Sequence, residues 1–206
     1  MRVIKKALPE KFAIACSGGT DSVALSYFLR KHSPTLIHFN HKVLPESELF
    51  AKNAQALAEK LNLPFIYGEA KESYSSGSIE AWCRKQRYDW FSTLELNILT
   101  AHTLNDCVES YLMRVFQGQP HYAPIPIKTQ FGESTVIRPM MLTTKEQVTE
   151  FLIKNNLEAI IDPSNKDSKM LRNWIRLDLL PFISNRKEIN LLTTVGKIVQ
   201  KQYISA

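Results

Sequence analysis

A short turn of glycine and small polar residues carries the clearest chemical signal in the sequence. The turn lies between a buried-strand pattern over 12–16 and a helical pattern from 23, and consists of Ser17, Gly18, Gly19, Thr20, Asp21 and Ser22. Glycines permit positive φ and a close approach of the backbone, and the helix that follows presents free N–H groups at its positive end. This combination predicts an anion site, with phosphate as the first candidate. The structural alternative is a capped strand-to-helix turn.

The spacing of the turn excludes two common phosphate loops. It has no lysine where a Walker A loop requires one, and its glycines lack the GxGxxG spacing. Ser17, Ser22 and the backbone N–H groups are therefore left to stabilise phosphate charge, and Asp21 is predicted to bring in Mg²⁺ as a metal ligand.

A second polar group follows the fourth predicted strand and comprises His102, Asp106 and Glu109. Asp106 and Glu109 are three residues apart, so they share one face of a helix. Two carboxylates near a phosphate pocket repel each other unless a cation lies between them, and one of them can take up a proton during catalysis. The structural alternatives are an aspartate at a helix N-terminus, a solvated glutamate and a histidine that packs at a strand end.

Basic side chains concentrate on two predicted helices and towards the C-terminus. Arg84 and Arg87 are three residues apart on one helix, and Arg172, Asn173 and Arg176 occupy an amphipathic helix that ends at a proline. The net charge is +6, and residues 165–206 hold eight Lys and Arg against three Asp and Glu. A localised basic region predicts a polyanionic partner, with nucleic acid first. A solvated basic helix is the alternative.

The composition is typical of a globular protein in a reducing compartment. With 206 residues, 44% of them hydrophobic, the chain can bury a core for one domain and a small appendage. The first apolar run is too short for a signal peptide, and no segment is long enough to span a bilayer. Cys16, Cys83 and Cys107 form no CxxC, which argues against a zinc site or a disulfide scaffold. A cytoplasmic location without membrane contact is expected.

The elements that must position these groups alternate between strands and helices. Strands are predicted over 12–16, 35–39, 64–67, 97–101 and 134–137, and helices follow the first four, with caps at Ser78 and Thr103. A proline-rich loop is predicted over 119–126, and further helices over 170–180 and 189–203. The alternation predicts an α/β fold with a doubly wound, mainly parallel five-stranded sheet and a small C-terminal helical extension. Ligands bind at the carboxyl edge of such a sheet, where the glycine turn and His102 fall.

The turn SGGTDS resembles the PP-loop of the N-type ATP pyrophosphatases, written SGGxDS, at all five fixed letters. Further segments follow in order: FNHKVLPESE (39–48), IEAWCRKQRYDWF (79–91), TAHTLNDCVESYLMRVFQG (100–118), IRPMM (137–141) and DPSNKDSKMLRNWIRLDLLPFI (162–183). Together they resemble the catalytic domain of the tRNA(Ile)-lysidine synthetase family, from about residue 11 to residue 183. The resemblance implies a PP-loop domain over 1–142 and a helical extension with a basic face over 143–206, without the family's usual C-terminal modules.

The resemblance implies an ATP-dependent ligase that forms a carbon–nitrogen bond. In such an enzyme ATP adenylates the C2 oxygen of the wobble cytidine in an isoleucine tRNA with a CAU anticodon. The amine of free L-lysine then displaces AMP, and the product is lysidine. ATP and Mg²⁺ are the implied cofactors, tRNA and free lysine are the implied partners, and a homodimer is one way to supply the missing modules.

The resemblance also implies roles for individual residues. The implied catalytic residues are Asp106, Glu109, Arg84 and His102. The turn over 17–22 is implied to bind the nucleotide together with Asn40, His41 and Arg138. The implied substrate-binding residues are Arg87, Lys169, Arg172, Asn173 and Arg176.

Two departures from the family pattern leave other functions open. Asn105 stands where the first acid of an Asp–Asp pair is usual, and Thr103 stands where a second histidine is usual. Asparagine can coordinate through oxygen but cannot accept a proton, so a catalytically impaired nucleotide or tRNA binder is one alternative. A thiolase-like PP-loop enzyme is another, although thiolases that resemble this fold carry paired cysteines and the three cysteines here are scattered.

Overall fold

A six-stranded sheet forms the centre of the molecule. The computed structural model describes residues 1–119, 125–160, 170–184, 186 and 188–205. The strands are β1 (Ala13–Ala15), β2 (Thr35–Asn40), β3 (Phe65–Glu69), β4 (Asn97–Leu99), β5 (Lys128–Phe131) and β6 (Ser134–Ile137). Their order is β3-β2-β1-β4-β6-β5, and every neighbouring pair is parallel except β5 with β6. The doubly wound, mainly parallel α/β fold is therefore confirmed.

The sheet has one strand more than the five predicted from the sequence. The additional strand, β5, pairs antiparallel with β6 as a hairpin at the edge of the sheet, and Gly132 in its turn has φ +53°. Its four residues, Lys-Thr-Gln-Phe, are exposed or half-buried. An antiparallel edge strand with one face in solvent needs little apolar surface. The strand therefore lacks the apolar run by which the other five strands are recognised.

Five helices surround the sheet before the C-terminal region begins. They are α1 (Thr20–Leu29), α2 (Ser47–Lys60), α3 (Ile79–Ser92), α4 (Leu104–Phe116) and α5 (Lys145–Lys154). The predicted caps are present, because the Ser78 side chain accepts from the N–H of Ala81 and Thr103 forms a capping box with Asp106. The sequence patterns did not predict α5. No helix that the structure describes is both long and apolar enough to cross a membrane.

Two apolar clusters hold helices against opposite faces of the sheet. Ile14, Leu36 and Leu99 pack with α1, α2 and α5, whereas their neighbours in the same strands pack with α3. This alternation is expected of strands that are buried on both faces. All three side chains are fully buried, and burial of each stabilises the fold by about 1.5–3 kcal/mol.

The C-terminal region folds against α4. Three helical pieces follow one another in α6 (Leu171–Trp174), a π-helical stretch (Ile175–Leu179) and α7 (Leu180–Ser184), and α8 (Leu191–Ser205) comes after them. Ile175, Val195 and Val199 form a buried cluster with Cys107 and Leu112 of α4. The predicted C-terminal helices are therefore present, and this cluster holds them beside the helix that carries the acidic pair.

Candidate functional site

A cavity of about 560 Å³ opens at the carboxyl ends of β1 and β4. These strands are neighbours at the point where the strand order reverses, with β2 and β3 on one side and β6 and β5 on the other. Such a reversal leaves a crevice between the loops that leave the two strands, and ligands bind there in doubly wound folds. Among the described residues, the polar ones that line the cavity are Ser17, Gly19, Thr20, Asp21, Ser22, His38, Asn40, His41, Ser47, Arg87, Thr100, His102, Asp106, Lys145 and Arg176.

The glycine turn after β1 is held in shape by its own serines. The Ser22 hydroxyl accepts from the N–H of Ser17 at 3.1 Å and donates to the carbonyl of Gly19 at 3.0 Å. Gly18 has φ +81°, and a Cβ there would lie 3.1 Å from the carbonyl oxygen of Phe50, so any other residue is strained. No side chain that the structure describes caps the start of α1. Its first N–H groups are therefore available to an anionic ligand.

Lys145 brings a positive charge to this turn from the start of α5. Its Nζ forms an ion pair with Oδ2 of Asp21, and the two side chains are 32% and 21% exposed. Burial raises the pKa of Asp21, and the charge of Lys145 opposes that rise. The other oxygen, Oδ1, is buried and has no hydrogen-bond partner among the described residues. A carboxylate oxygen left without a donor beside an anion cradle is a suitable ligand for a divalent cation.

Among the described residues that line the cavity, Lys145 is the charged one that the sequence patterns did not identify. It lies 124 residues after Asp21, and no local spacing connects the two. The available signal is the capping box formed by Thr144 and Gln147, which marks a helix start soon after a predicted strand end. Helix starts of this kind lie at the ligand edge of a doubly wound sheet.

The acidic pair of α4 is neutralised by arginines from the C-terminal region. Glu109 is 1% exposed and accepts from Nε of Arg176 at 2.7 Å and from Nε of Arg172 at 2.8 Å. Oδ1 of Asp106 lies 3.3 Å from Nη2 of Arg172 and 3.9 Å from Nη2 of Arg176. Asp106 and Glu109 therefore form one partly buried network with Arg172 and Arg176, in which guanidinium groups supply the positive charge that the carboxylates require.

Asp106 is held in its ionised form by its surroundings. Its Oδ2 accepts from the N–H and from the hydroxyl of Thr103, both at 2.7 Å. Burial opposes ionisation of this carboxyl, but the charges of Lys145 and Arg172 and the N–H of Thr103 outweigh it, so the pKa of Asp106 lies well below its usual range. Thr103, a departure from the family pattern, thus caps α4 and orients Asp106.

The two arginines of α3 have different surroundings. Arg87 lines the cavity, and its guanidinium lies 5.4 Å from the ring centre of Tyr88 without a carboxylate partner among the described residues. Burial and the nearby charge of Arg84 lower the pKa of Arg87. Arg84 itself is exposed, lies 4.5 Å from the same ring centre and does not line the cavity. Arg87 is therefore the better placed of the two to contact an anion in the cavity.

His102 and His41, two of the three described histidines that line the cavity, are in their neutral forms. Burial lowers the pKa of His102 to about 3, and burial together with the charge of Arg87 lowers the pKa of His41 to about 4. Nδ1 of His102 shares a hydrogen bond of 3.0 Å with the hydroxyl of Thr100. Nδ1 of His41 is buried and has no partner in the part of the chain that the structure describes. Both rings are uncharged at neutral pH and offer polar contacts to a ligand.

Asn40 and Arg138 use most of their hydrogen-bonding groups within the protein. The amide of Asn40 donates to Oε1 of Glu48 at 2.8 Å and to the hydroxyl of Tyr67 at 3.1 Å, and its Oδ1 accepts from the N–H of Lys42. Arg138 is 1% exposed, does not line the cavity, and donates to a carbonyl before β5 and a hydroxyl within it. Asn40 therefore lines the cavity with its amide already engaged, whereas Arg138 holds the segment at β5.

The remaining residues expected to bind substrate lie in different places. Lys169 lies outside the described residues. Asn173 is buried on α6. Arg176 lines the cavity and Arg172 does not, although both contact the acidic pair. The structure thus brings Arg176, Asp106 and Lys145 together with the glycine turn around one cavity.

The doubly wound sheet and the glycine turn at its central crevice define a class of protein, and sequence comparison agrees with it. A model of the PP-loop domain matches residues 1–183. The chain therefore belongs to the PP-loop domain family.

Several curated proteins named tRNA(Ile)-lysidine synthase are similar to this chain. The protein from Coxiella burnetii is 33% identical over 187 residues, which cover 85% of this chain and 42% of that protein. The proteins from Thermus thermophilus and Haemophilus influenzae are 31% and 32% identical, covering 90% and 89% of this chain. The matches cover 38% and 46% of those two proteins, so the chain spans less than half the length of these relatives.

Solved structures share the fold at low sequence identity. A U34-tRNA thiolase from Methanococcus maripaludis has a TM-score of 0.75 at 13% identity, over 97% of this chain and 75% of that chain. An NH3-dependent NAD synthetase from Campylobacter jejuni has a TM-score of 0.50 at 13% identity, over 96% of this chain and 86% of that chain. These similarities support the fold alone.

Proposed function

We propose that this chain is the catalytic domain of a cytoplasmic ligase that joins lysine to the wobble cytidine of an isoleucine tRNA with a CAU anticodon. ATP adenylates the C2 oxygen of the cytidine with release of pyrophosphate, and the lysine amine then displaces AMP. The observation that carries the proposal is the glycine turn, which presents an uncapped helix start to a cavity that also holds Lys145 and Asp106. The similar sequences named tRNA(Ile)-lysidine synthase support the choice of substrate.

The residues of the cavity fit the triphosphate of ATP. Gly18 allows phosphate oxygens to approach the backbone of the turn, and the N–H groups at the start of α1 stabilise negative charge. Lys145 and Arg87 add two cations to the cavity walls. Donors fixed in this way stabilise the charge that develops on a departing pyrophosphate, which is the electrostatic contribution expected of this chain.

Asp21 fits a divalent metal ion such as Mg²⁺. Its Oδ1 is buried and unpaired in the described residues, and the nearby charge of Asp106 adds to the rise of its pKa. Bound Mg²⁺ supplies positive charge that counters the phosphates of ATP. We assign only Asp21 to the ion, because the oxygens of Asp106 already accept from Thr103 and Arg172.

Asp106, the member of the acidic pair that lines the cavity, is proposed to attract the second substrate. The ε-amine of free lysine, with a pKa near 10.4, arrives as a cation at neutral pH. Asp106, whose pKa is lowered, stays anionic there and favours a cation nearby, while so weak a base is a poor acceptor for a proton. Arg176, which contacts both carboxylates and lines the cavity, is placed to bind an anionic group of the lysine or the tRNA.

Two of the three cysteines are too buried for the sulfur transfer of a thiolase-like enzyme, and the third, Cys83, is half-buried. Burial raises the pKa of Cys16 and of Cys83, and it raises the pKa of Cys107 to about 12. Sulfur transfer by a cysteine requires an accessible thiolate. Cys16 and Cys107 are both buried, so neither meets that requirement.

We propose two further points of organisation. The PP-loop domain occupies 1–142 and the helical extension 143–206, and α5 ties the extension to the sheet because Val148 and Leu152 join the cluster around Ile14.

A homodimer is one arrangement that extends the surface for tRNA. Light scattering of the purified chain with and without tRNA measures whether a dimer forms.

Mass spectrometry of nucleosides tests the proposed function. Unmodified isoleucine tRNA is incubated with the protein, ATP, Mg²⁺ and lysine, and then digested. We expect lysidine in place of the wobble cytidine, whereas a thiolated nucleoside or unchanged cytidine would contradict the proposal. Gly18→Ala should abolish the product. Gly118→Ala is the matched control, because Gly118 also has positive φ but has no neighbouring atom where a Cβ would lie, and it should retain activity.

A further inference from the structure

Asn105 and Lys145 form one unit that reaches from α4 to the glycine turn. Oδ1 of Asn105 accepts from the backbone N–H of Lys145 at 2.9 Å. Lys145 is the first residue of α5, and its Nζ pairs with Asp21 in the turn after β1. Three segments that are far apart in the sequence therefore meet through two consecutive contacts.

Lys145 supplies the positive charge that phosphate binding requires and that the turn itself lacks. The SGGTDS turn contains no lysine, and its only ionisable side chain is that of Asp21. Phosphates bound at the turn require a positive charge nearby, and the carboxylate of Asp21 cannot supply one. The Lys145 side chain is 32% exposed, and its flexible four-carbon stem allows the ammonium group to turn from Asp21 to a phosphate oxygen.

We propose that Lys145 is the phosphate-binding lysine of this cavity and that Asn105 is the residue that positions it. The proposal rests on the proposed function, because it takes the pyrophosphate portion of ATP as the ligand of the turn. Lys145 contacts phosphate oxygens directly. Asn105 acts only through the backbone at the start of α5, so it is a positioning residue.

The hydrogen bond from the N–H of Lys145 explains how the amide of Asn105 can take the place of a carboxylate at this position. An acceptor for a backbone N–H at a helix start needs only an oxygen, which both asparagine and aspartate provide. Residue 105 removes no proton in this role. Asn105 is therefore compatible with an active enzyme, although the family that the chain resembles has an acid at this position.

Binding measurements on the full chain test the role of Lys145. Isothermal titration calorimetry with ATP, pyrophosphate and adenosine compares the wild type with Lys145→Met and Lys154→Met. Lys154 is exposed in the last turn of the same helix, so its variant controls for net charge and helix content. Lys145→Met should weaken binding of ATP and pyrophosphate about ten- to a hundredfold, since one charge-assisted contact is lost, and Lys154→Met should bind as the wild type does. Adenosine binding should not change, and thermal denaturation verifies that each variant is folded.

The binding assay distinguishes a wrong role for Lys145 from a wrong proposed function. Wild-type ATP affinity in Lys145→Met would overturn the phosphate-binding role alone, whereas a wild-type chain that binds neither ATP nor pyrophosphate would overturn the proposed function as well. Lys145→Arg should recover most of the lost affinity.

The positioning role of Asn105 is tested in the same assay. Asn105→Asp keeps the acceptor oxygen and should bind ATP as the wild type does. Asn105→Ala should bind ATP several-fold more weakly while adenosine affinity stays the same. Equal ATP affinity of Asn105→Ala and the wild type would overturn the positioning role.

Discussion

At the scale of single residues, the site depends on charges that neutralise one another. Glu109 is almost completely buried and accepts from Arg172 and Arg176, which remain partly exposed. Loss of one partner from such a network is destabilising because it leaves a buried charge without compensation. The network therefore ties the acidic pair of α4 to the C-terminal helices.

Glu109→Gln is expected to lower the free energy of unfolding by about 2 kcal/mol, because charge-assisted hydrogen bonds to two arginines become weaker bonds to a neutral oxygen. Urea denaturation measures the change. Glu80→Gln is the control, since Glu80 is 48% exposed and its contact with Arg172 is 3.5 Å, and it should stay within about 0.5 kcal/mol of the wild type. Equal stability of Glu109→Gln and the wild type would show that the network does not stabilise the fold.

The pKa of His41 predicts a pH dependence of stability. The pKa is lowered from 6.5 to about 4 in the folded state, so the unfolded chain binds the proton more readily between these values. Above pH 6.5 the ring is neutral in both states, and its protonation does not affect the free energy of unfolding. As the pH falls towards 4 the unfolded chain takes up the proton first, so the free energy of unfolding decreases. The urea midpoint should therefore fall over this range, and less steeply in His41→Gln. The same pH slope in both proteins would contradict the role given to His41.

At the scale of elements, close packing of α3 on the sheet determines where Arg87 lies. Gly68 in β3 sits beneath the indole of Trp90, and a Cβ at this position would lie 2.3 Å from its Cε2. Trp90 and Arg87 are three residues apart on α3. A shift of the indole would therefore move the arginine relative to the cavity.

Gly68→Ala is expected to destabilise the protein by about 1–3 kcal/mol, because the added methyl group forces the indole or the helix to move. Thermal or urea denaturation provides the measurement. Gly196→Ala on α8 is a control of opposite sign, since its Cβ would meet Leu104 at an ordinary 3.7 Å and alanine favours a helix by about 0.5–1 kcal/mol. If Gly68→Ala proves as stable as the wild type, the packing of Trp90 does not fix α3.

The sequence reveals some elements of this fold and conceals others for physical reasons. The first strand, the glycine turn and α1 are contiguous, so apolar runs and glycines identify them directly. β5 is a polar edge strand without that signal. α5 carries its own signals, a capping box and two buried apolar residues, Val148 and Leu152, although it was not among the predicted helices. Local patterns therefore predict buried elements well and edge elements poorly.

At the scale of the whole molecule, distant parts of the chain return to the cavity. Lys145 pairs with Asp21 across 124 residues, and Arg176 binds Glu109 across 67. Periodicity predicts which face of a helix a residue occupies, but it does not predict which distant cation meets which carboxylate. The sequence predicted Arg176 as a substrate-binding residue, which stays a prediction, while its contact with the acidic pair emerged only from the fold.

The products of ATP turnover test the central claim most directly. Labelled ATP is incubated with the wild-type chain, lysine and unmodified isoleucine tRNA, and the products are separated by chromatography. We expect AMP and pyrophosphate in equal amounts, with their formation dependent on the tRNA. ADP with inorganic phosphate, turnover that does not depend on tRNA, or no turnover at all would contradict the assignment of the glycine turn to ATP cleavage for tRNA modification.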